Sequence, residues 1–334
     1  MRVLVTGATG FVGGNVARVF QVLGDQVLCA VRRPPPDGFG HSWRLTDLMD
    51  TGDVRRALEE HQAQAVVHLA IRNDLLDLYQ DRRGAYADYV TATRRIVDAA
   101  NGAGVAVLYV STDWVFDGTG HMVPEDEPVS PVNLYGLLKV LSEQTVLDRA
   151  RRGLVARIGG VQGTHLVRPA TPRQQDAGFG YLVLSVVDAL SQGRSFEVWE
   201  SGRINSVATP VLASDAGRFM RRALEAGADG VLHLVGAQPV TRRELALAAC
   251  EVFGLDAGLL RFVPPPAAAV GEIPVPRDTS LSTERTRAVL DVAPPSLLDT
   301  LRGLATERRI ADVRIADVRI ADAVTSSLAT PPVP

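Results

Sequence analysis

Short apolar runs alternate with segments of helical periodicity along about the first 160 residues of the chain. The apolar runs predict buried strands at residues 2–6, 26–31, 65–69, 105–110 and 154–158. The intervening segments predict helices at residues 12–23, 53–62, 83–101 and 134–150. Strands that are apolar throughout and alternate with helices are typical of a parallel sheet covered on both faces. We therefore expect an α/β fold with a doubly wound parallel sheet.

The pattern changes after about residue 160, where a polar stretch at 163–180, rich in Gly, Pro, Arg and Gln, predicts an inserted loop or lobe. Beyond it, the sequence predicts a helix at 181–192, a strand at 195–200, a parallel-type strand at 230–235 and a helix at 241–253. Thr241 and Glu244 form the pattern of a capping box at the start of that last helix.

These elements divide the chain into a main domain and a smaller lobe. Because strand 230–235 is expected to rejoin the main sheet, the main domain comprises residues 1–160 and about 211–236. A discontinuous C-terminal substrate lobe comprises about residues 161–210 and 237–305, with ligands in the cleft between the two. Residues 309–323 repeat an Arg-Ile-Ala-Asp-Val pattern in too few copies to complete a coil, so we expect 306–334 to be a flexible tail.

The composition is that of an ordinary folded protein, with 46% hydrophobic and 22% charged residues among 334. A formal net charge of −3 does not favour nucleic acid or an anionic membrane as a partner. No signal peptide or membrane-spanning segment is predicted. Cys29 and Cys250 lie in apolar surroundings and predict no disulfide, so we expect a cytoplasmic location. The six histidines show no ligand spacing, and no metal site is expected.

Arginine replaces lysine almost everywhere in this chain. Lys139 is the only lysine, which leaves 34 arginines among the 35 basic residues. A lone lysine against this background is a candidate for a task that arginine cannot perform.

A glycine-rich turn follows the first predicted strand. Gly7, Gly10 and Gly13 stand between that strand and a helix, which is the context of a dinucleotide-binding turn in a Rossmann fold. The free amides at the start of the helix suit a pyrophosphate. We therefore predict a cofactor site whose residues at this turn are Gly7, Thr9, Gly10, Phe11, Val12 and Gly13.

The end of the second strand predicts which dinucleotide is preferred. An acidic residue there would hold the ribose 2′-hydroxyl of NAD, but the chain has Arg32 and Arg33 and no Asp or Glu nearby. Guanidinium groups suit a 2′-phosphate, so we expect NADP(H) to be preferred over NAD(H).

Tyr135 and Lys139 are four residues apart on a predicted helix and therefore share one face. A nearby ammonium favours the phenolate and lowers a tyrosine pKa, which suits proton relay. Upstream, Ser111 and Thr112 end a strand where α/β sheets bind ligands, and either hydroxyl is a candidate to polarise a carbonyl.

Arg157 and Arg203 are candidates to bind a nucleotide diphosphate, with a structural ion pair as the alternative for each.

Several motifs together resemble the extended short-chain dehydrogenases/reductases, and the dTDP-4-dehydrorhamnose reductase-like branch in particular. They are TGATGFVG at 6–13, STDWVFDG at 111–118 and NLYGLLK at 133–139, with weaker matches at 157–163 and 278–282. The resemblance covers about residues 1–305. It implies that Thr112 polarises the substrate carbonyl, that Tyr135 donates the proton and that Lys139 tunes Tyr135 and holds the nicotinamide ribose.

The resemblance also implies further site residues and an assembly. The cofactor would be lined by Leu45, Leu69, Ala70 and Ile71. The segment His68-Leu69-Ala70 would follow the nicotinamide half of the cofactor, and the alternative for His68 is a histidine packed at a strand end. Asp113, Trp114 and Asn133 would face the substrate. Helices 83–101 and 134–150 would pair across a two-fold axis in a homodimer.

The chain departs from the family pattern at several positions. Arg44 stands where an aspartate is usual near adenine, Tyr89 replaces a helix asparagine, and Trp114 replaces a tyrosine. The 163–180 insert, with Arg168 and Arg173, matches no nucleotide-sugar pocket. These departures bear on the substrate more than on the cofactor.

Three functions remain open at this point. The first is an NADPH-dependent reductase of a 4-keto-6-deoxy sugar nucleotide or a similar polar ketone. The second is a nucleotide-sugar epimerase or dehydratase, against which Arg32 and Arg33 argue because an epimerase retains NAD. The third is a non-catalytic NADP-binding regulatory protein, which would not need the full Thr112, Tyr135 and Lys139 set.

Overall fold

The computed structural model describes residues 1–72, 74–168 and 175–309 of the chain. Its strands are β1 (Arg2–Thr6), β2 (Gln26–Val31), β3 (Ser42–Leu45), β4 (Ala65–His68), β5 (Ala106–Thr112), β6 (Gly153–Ile158), β7 (Phe196–Trp199), β8 (Val207–Ala208), β9 (Gly230–His233), β10 (Val240–Thr241) and β11 (Leu260–Val263). Within these residues, seven strands form one parallel sheet in the order β3-β2-β1-β4-β5-β6-β9. This order confirms the predicted doubly wound α/β fold.

The helices are α1 (Phe11–Val22), α2 (Thr51–Glu60), α3 (Leu75–Gln80), α4 (Arg82–Tyr86), α5 (Ala92–Ala103), α6 (Leu134–Arg149), α7 (Leu182–Leu190), α8 (Ala213–Glu225), α9 (Arg242–Phe253), α10 (Ala267–Val270), α11 (Glu284–Leu290) and α12 (297–309). The predicted single helix at 83–101 is interrupted, because a π-helical turn at Ala87–Thr91 lies between α4 and α5. Among the described residues, no helix is long and apolar enough to cross a membrane.

The apolar residues of the strands pack on both faces of the sheet. On β1, Val3 and Val5 belong to the core beneath α1 and α8, whereas Leu4 belongs to the core beneath α2 and α5. This separation follows from the alternation of side chains along a strand. The approach of α1 and α8 is close: a Cβ on Gly217 would lie 3.3 Å from the Cα of Val16.

A third core lies outside the main sheet. It is built from α7, α9 and α12, with Leu182, Val198, Leu245 and Leu301 fully buried. Two small sheets border it, β7 with β11 in parallel and β8 with β10 antiparallel. The capping box of Thr241 and Glu244 is present at the start of α9, as predicted.

Several predictions of element bounds need correction. The edge strand β3 and the helices α3, α8, α11 and α12 were not predicted. Strand β9 does pair with β6, but it ends at His233 rather than at residue 235. Residues 306–309 are helical rather than a flexible tail, and Arg308 bonds Asp188 at 2.5 Å. Residues 310–334, with most of the repeat, lie outside the described residues, as do 169–174 of the predicted insert, which include Arg173.

Candidate active site

A deep cleft opens at the carboxyl ends of β1, β4, β5 and β6. Its volume is about 920 Å³. Its walls are the glycine-rich turn, the ends of these strands, one face of α6 and the segment that follows β6. Parallel α/β sheets bind their ligands at this edge.

The glycine-rich turn brings backbone close to backbone. Gly7 has a φ of +74°, and a Cβ on it would lie 2.7 Å from the backbone nitrogen of Ala70. A Cβ on Gly13 would lie only 2.2 Å from the carbonyl oxygen of Gly7. Among the described residues, no side chain accepts a hydrogen bond from the first turn of α1, which begins after Gly10. The turn and its amides therefore form a concave surface of N–H donors suited to a pyrophosphate.

One further observation supports a ligand in this cleft. The hydroxyl oxygen of Ser111 is buried, lines the cleft and has no hydrogen-bond partner among the described residues. A buried polar atom without a partner is costly unless a ligand or water satisfies it. The donor set and this hydroxyl fit a dinucleotide lying along the turn.

Of the residues predicted to bind the ribose that carries the 2′-phosphate, only some line the cleft. Arg32 lines it, and its guanidinium has no ion pair among the described residues. Arg33 is exposed and does not line the cleft, and Leu45 is 50% exposed and also lies outside it. This wall is formed instead by residues that sequence reasoning missed, namely Thr46, Asp47, Leu48 and Met49, which follow the unpredicted strand β3.

Arg44 lies behind this wall and does not line the cleft. Its guanidinium bonds Asp53 at 2.8 Å and Glu60 at 3.1 Å, so it ties β3 to α2. Arg44 therefore has a structural role, and the acidic residue at this wall of the cleft is Asp47.

Arg72 also lines the cleft, and its charge is neutralised by neighbouring aspartates. Its guanidinium lies 2.8 Å from Asp88, 3.1 Å from Asp81 and 3.4 Å from Asp77. The cleft is also lined by the three residues just before Arg72, namely Leu69, Ala70 and Ile71, and their contact with the cofactor stays a prediction.

The three predicted catalytic residues all line the cleft. The phenol of Tyr135 and the hydroxyl of Thr112 face each other across the cleft, and the nearby hydroxyl favours the phenolate, which in part offsets the rise that burial causes in the pKa of Tyr135. The edge of Trp114 packs against the ring of Tyr135 with centroids 5.8 Å apart. A hydroxyl pair of this kind can hold one carbonyl oxygen and deliver a proton to it.

Burial raises the pKa of Tyr135 to about 12. This differs from the expectation that Lys139 lowers it. The Lys139 ammonium instead donates to the carbonyl oxygen of Val110 at 2.6 Å and lies 4.9 Å from the ring centre of Tyr109. Lys139 is 3% exposed, and burial lowers its pKa to about 7.

His68 is held neutral behind the cleft. Burial lowers its pKa to about 3, helped by the charge of Lys139. Its Nδ1 lies 2.7 Å from the Thr6 hydroxyl, and its Nε2 lies 3.2 Å from the hydroxyl of Thr93. Thr93 donates to the Tyr89 carbonyl, so its oxygen is free to accept from Nε2 of His68. These bonds tie β1, β4 and the helical wall together, which is a packing role.

Tyr89 occupies the position of the absent helix asparagine. It is 1% exposed, donates its hydroxyl to the carbonyl of Arg72 and packs edge-on against Tyr135. Its ring also faces Lys139 at 5.8 Å. An aromatic side chain therefore fills the space behind the tyrosine–lysine pair.

The predicted substrate residues separate into two groups. Asp113 lines the cleft, bonds the Thr112 hydroxyl at 3.0 Å, and burial raises its pKa to about 6. Asn133 and Trp114 do not line the cleft. Asn133 caps α6 by accepting from Gly136 and donates to the Pro274 carbonyl.

The two candidate diphosphate arginines also lie outside the cleft lining. Arg157 is 3% exposed and forms two bonds with Glu143, at 3.0 and 2.8 Å. Its guanidinium is thus committed inside the protein, which corrects its prediction as a substrate residue. Arg203 is exposed on a loop.

The segment after β6 contributes residues that sequence reasoning did not assign to the site. His165, Arg168 and Tyr181 line the cleft, and the ring of Tyr181 packs on Phe11 at 4.8 Å. Their position was hidden because it depends on how residues 159–168 fold back onto α1. Within the described residues, no group of three or more acidic, histidine or cysteine side chains is arranged to hold a metal ion.

Comparison with known proteins gives a family match over most of the chain. The family model described as the RmlD substrate binding domain matches residues 1–309. Methionine adenosyltransferase 2 subunit beta of Bos taurus is 27% identical over 263 residues, which are 78% of this chain and 74% of the relative. A dTDP-4-keto-6-deoxy-D-glucose reductase of Streptomyces niveus is 26% identical over 291 residues, which are 86% of this chain and 90% of the relative.

A solved structure shows the same fold. The dTDP-4-dehydrorhamnose reductase of Bacillus anthracis, in complex with NADP, superposes with a TM-score of 0.74 at 18% sequence identity. The match covers 92% of this chain and 99% of that one.

Proposed function

The chain belongs to the RmlD substrate binding domain family, and on that premise we propose that it is an NADPH-dependent reductase of a carbonyl group. The observation that carries the proposal is the placement of Thr112, Tyr135 and Lys139 together in one cleft with the glycine-rich turn. The most fitting substrate is a 4-keto-6-deoxy sugar nucleotide or a similar polar ketone, as the name of the Streptomyces niveus relative suggests.

The proposed chemistry follows from the positions of the hydroxyls. NADPH, when bound, supplies the hydride that the carbonyl carbon receives. Thr112 and Tyr135 hold the carbonyl oxygen between them, and Tyr135 gives it a proton. A phenol whose pKa is about 12 stays protonated at neutral pH and is ready to donate. Lys139 lies one helical turn away and is placed to bond the nicotinamide ribose.

The preference for NADP(H) over NAD(H) is part of the proposal. Its support is Arg32, a guanidinium without an ion pair among the described residues, at the cleft wall where β2 ends. A 2′-phosphate would provide the missing counter-charge. The same residue argues against an epimerase, which would retain NAD.

A second candidate function is favoured by one comparison. The Bos taurus relative is named as a subunit of methionine adenosyltransferase 2, so a regulatory role that uses the fold without reduction is an alternative for this chain. The two proposals differ in one respect: only the reductase needs the Tyr135 hydroxyl.

The test is NADPH oxidation with a dTDP-4-keto-6-deoxy sugar, measured for the native protein and for Tyr135→Phe. We expect Tyr135→Phe to lower kcat by about 10²-fold or more, because general acid catalysis contributes about 10²–10⁴-fold. NADPH binding should be unchanged. Tyr86→Phe is the matched control, since Tyr86 is 50% exposed and lies outside the cleft. A native protein that binds NADPH but turns over no such ketone would overturn the sugar-reductase proposal and favour the regulatory role.

A further inference from the structure

Two of the three arginines that line the cleft carry charges without a counter-charge. Arg72 is surrounded by three aspartates. The guanidinium groups of Arg32 and Arg168, by contrast, have no hydrogen bond or ion pair with any of the described residues. Both side chains line the same cleft as the glycine-rich turn. Their charges are therefore available to an anionic ligand.

Arg168 is placed by a segment that packs on the start of α1. The side-chain amide of Asn15 donates to the carbonyl oxygen of Thr164 at 2.9 Å. A Cβ on Gly14 would lie 3.8 Å from Val167 and 3.9 Å from Leu166. The segment before Arg168 thus lies against the first turn of the helix whose amides line the cleft.

The backbone just before Arg168 is folded into a turn by one side chain. The Nδ1 atom of His165 accepts from the backbone N–H groups of Val167, at 3.3 Å, and Arg168, at 3.2 Å. The ring of His165 also lies 6.4 Å from the ring of Phe11, the first residue of α1. These contacts bring the base of the Arg168 side chain to the phosphate end of the cleft rather than to the carbonyl end at Tyr135.

We propose that Arg168 binds the pyrophosphate of the dinucleotide cofactor beside the glycine-rich turn. This inference rests on the proposed cofactor site. It assigns two different phosphate groups to the two free arginines: the pyrophosphate, which NADPH and NADH share, to Arg168, and the 2′-phosphate, which only NADPH carries, to Arg32. The other source of the same chemistry is the diphosphate of a nucleotide-sugar substrate.

The experiment compares the binding of NADPH, NADH and dTDP by calorimetric titration of the native protein, Arg168→Ala and Arg32→Ala. We expect Arg168→Ala to weaken NADPH and NADH alike, by about tenfold, which is the loss of one charge-assisted hydrogen bond at a solvent-accessible site. Arg32→Ala should weaken NADPH by a similar factor and leave NADH unchanged. Arg168→Lys should retain part of the binding, because it keeps the charge and loses the bidentate geometry. Arg194→Ala is the control, since it removes an exposed guanidinium outside the cleft.

Each other pattern overturns the inference in a recognisable way. Arg168→Ala that weakens only dTDP would assign the residue to the substrate diphosphate. Arg168→Ala that weakens NADPH but not NADH would assign it to the 2′-phosphate. Unchanged binding of all three ligands would leave Arg168 without a phosphate role. A native protein that binds neither dinucleotide would overturn the proposed function itself, which is a distinguishable failure.

Discussion

Lys139 combines a catalytic position with an environment that disfavours its charge. Its only hydrogen bond among the described residues is to the carbonyl oxygen of Val110, and it is buried between aromatic rings. Burial lowers its pKa from 10.5 to about 7, and the negative charge of Glu143 opposes that shift. The protonated state of this residue therefore changes near neutral pH in the unliganded protein.

The proposed reductase should lose activity as the pH rises through about 7, because the ammonium form of Lys139 is the one that bonds ribose. This fall in activity should be seen in the pH profile of kcat/KM, which reports the ionisation of groups in the free enzyme. In the pH profile of kcat, the fall in activity should occur at higher pH, because the negative phosphates of bound NADPH favour the charged form of Lys139. A kcat/KM that is flat between about pH 6 and 9 would contradict the assignment.

The lowered pKa of Lys139 should also affect the stability of the protein, and this effect can be measured without substrate. The unfolded chain binds a proton at Lys139 up to about pH 10.5, whereas the folded chain releases it near 7. The free energy of unfolding should therefore gain a contribution as the pH rises between these values. Urea unfolding of Lys139→Met should lack that gain.

The role of Arg157 could not be predicted from its residue type alone. A sequence with 34 arginines offers many candidate phosphate ligands, and their partners are set by contacts far apart in the chain. Glu143, which neutralises Arg157, precedes it by 14 residues on a different element. Tyr135 and Lys139 were predictable because their relation is local, four residues apart on one helix.

At the scale of elements, the Glu143–Arg157 pair joins α6, which carries Tyr135 and Lys139, to β6. Both side chains are nearly inaccessible, at 1% and 4% exposure. Such a pair fixes the helix against the sheet through two bonds of defined direction.

Removing one partner of this buried pair should destabilise the protein strongly. Glu143→Gln leaves the Arg157 charge uncompensated, and we expect a loss of about 3–5 kcal/mol in the free energy of unfolding. The double variant Glu143→Leu with Arg157→Met should be more stable than the single Glu143→Gln. Arg55 and Glu59 form an exposed i,i+4 pair on α2, and Glu59→Gln should cost less than about 0.5 kcal/mol. Similar losses for the buried and exposed pairs would disprove this reasoning.

The turn between β1 and α1 should tolerate no side chain at Gly13. Gly13→Ala would press a Cβ onto the Gly7 carbonyl, with an expected cost of about 1–3 kcal/mol or more and weaker NADPH binding. Gly202→Ala is the control, because nothing lies within 4 Å of its Cβ position. Thermal unfolding and a binding titration measure both effects. Equal behaviour of the two variants would show that the close approach is relaxed in solution.

The missed elements have a physical explanation. Strand β3 is a short edge strand of which Ser42, Trp43 and Leu45 are exposed, so it lacks the apolar run by which the other strands of the sheet were recognised. Helix α8 begins without a side-chain cap, and its small residues, such as Gly217, are chosen for close packing on α1. Elements of this kind are stabilised by contacts with residues that are distant in the sequence, so a local sequence pattern does not reveal them.

At the scale of the whole molecule, the apolar cores on the two faces of the main sheet are separate from the core built from α7, α9 and α12. Arg242 joins the start of α9 to two distant segments of the chain: it is 2% exposed and donates to the carbonyl of Asn205, to Gln175 and to the carbonyl of Asp176. No local sequence pattern predicts a buried arginine at this position. The division of the chain into a main domain and a smaller lobe stays a prediction.

The homodimer implied by the family resemblance would use an apolar surface on α6. Leu137 and Leu141 lie four residues apart on this helix and are 44% and 37% exposed. Leu76, on the neighbouring α3, is 66% exposed. We expect Leu141→Arg to lower the sedimenting mass from dimer to monomer, since it would bury an unpaired charge. Val289→Arg, at an exposed position on α11, should not. A native protein that sediments as a monomer would exclude the dimer.

Lys139 also determines how the protein reacts with reagents that modify lysine. It carries the only ε-amine of the chain, and that amine is 3% exposed at the base of the cleft. An acylating reagent therefore meets no lysine on the folded surface, and any ε-acylation reports access to the cleft. A protease that cuts after lysine divides the unfolded chain once, beside the residue on which the proposed reaction depends. Covalent tags that cells attach through lysine would have to enter the place where the cofactor binds.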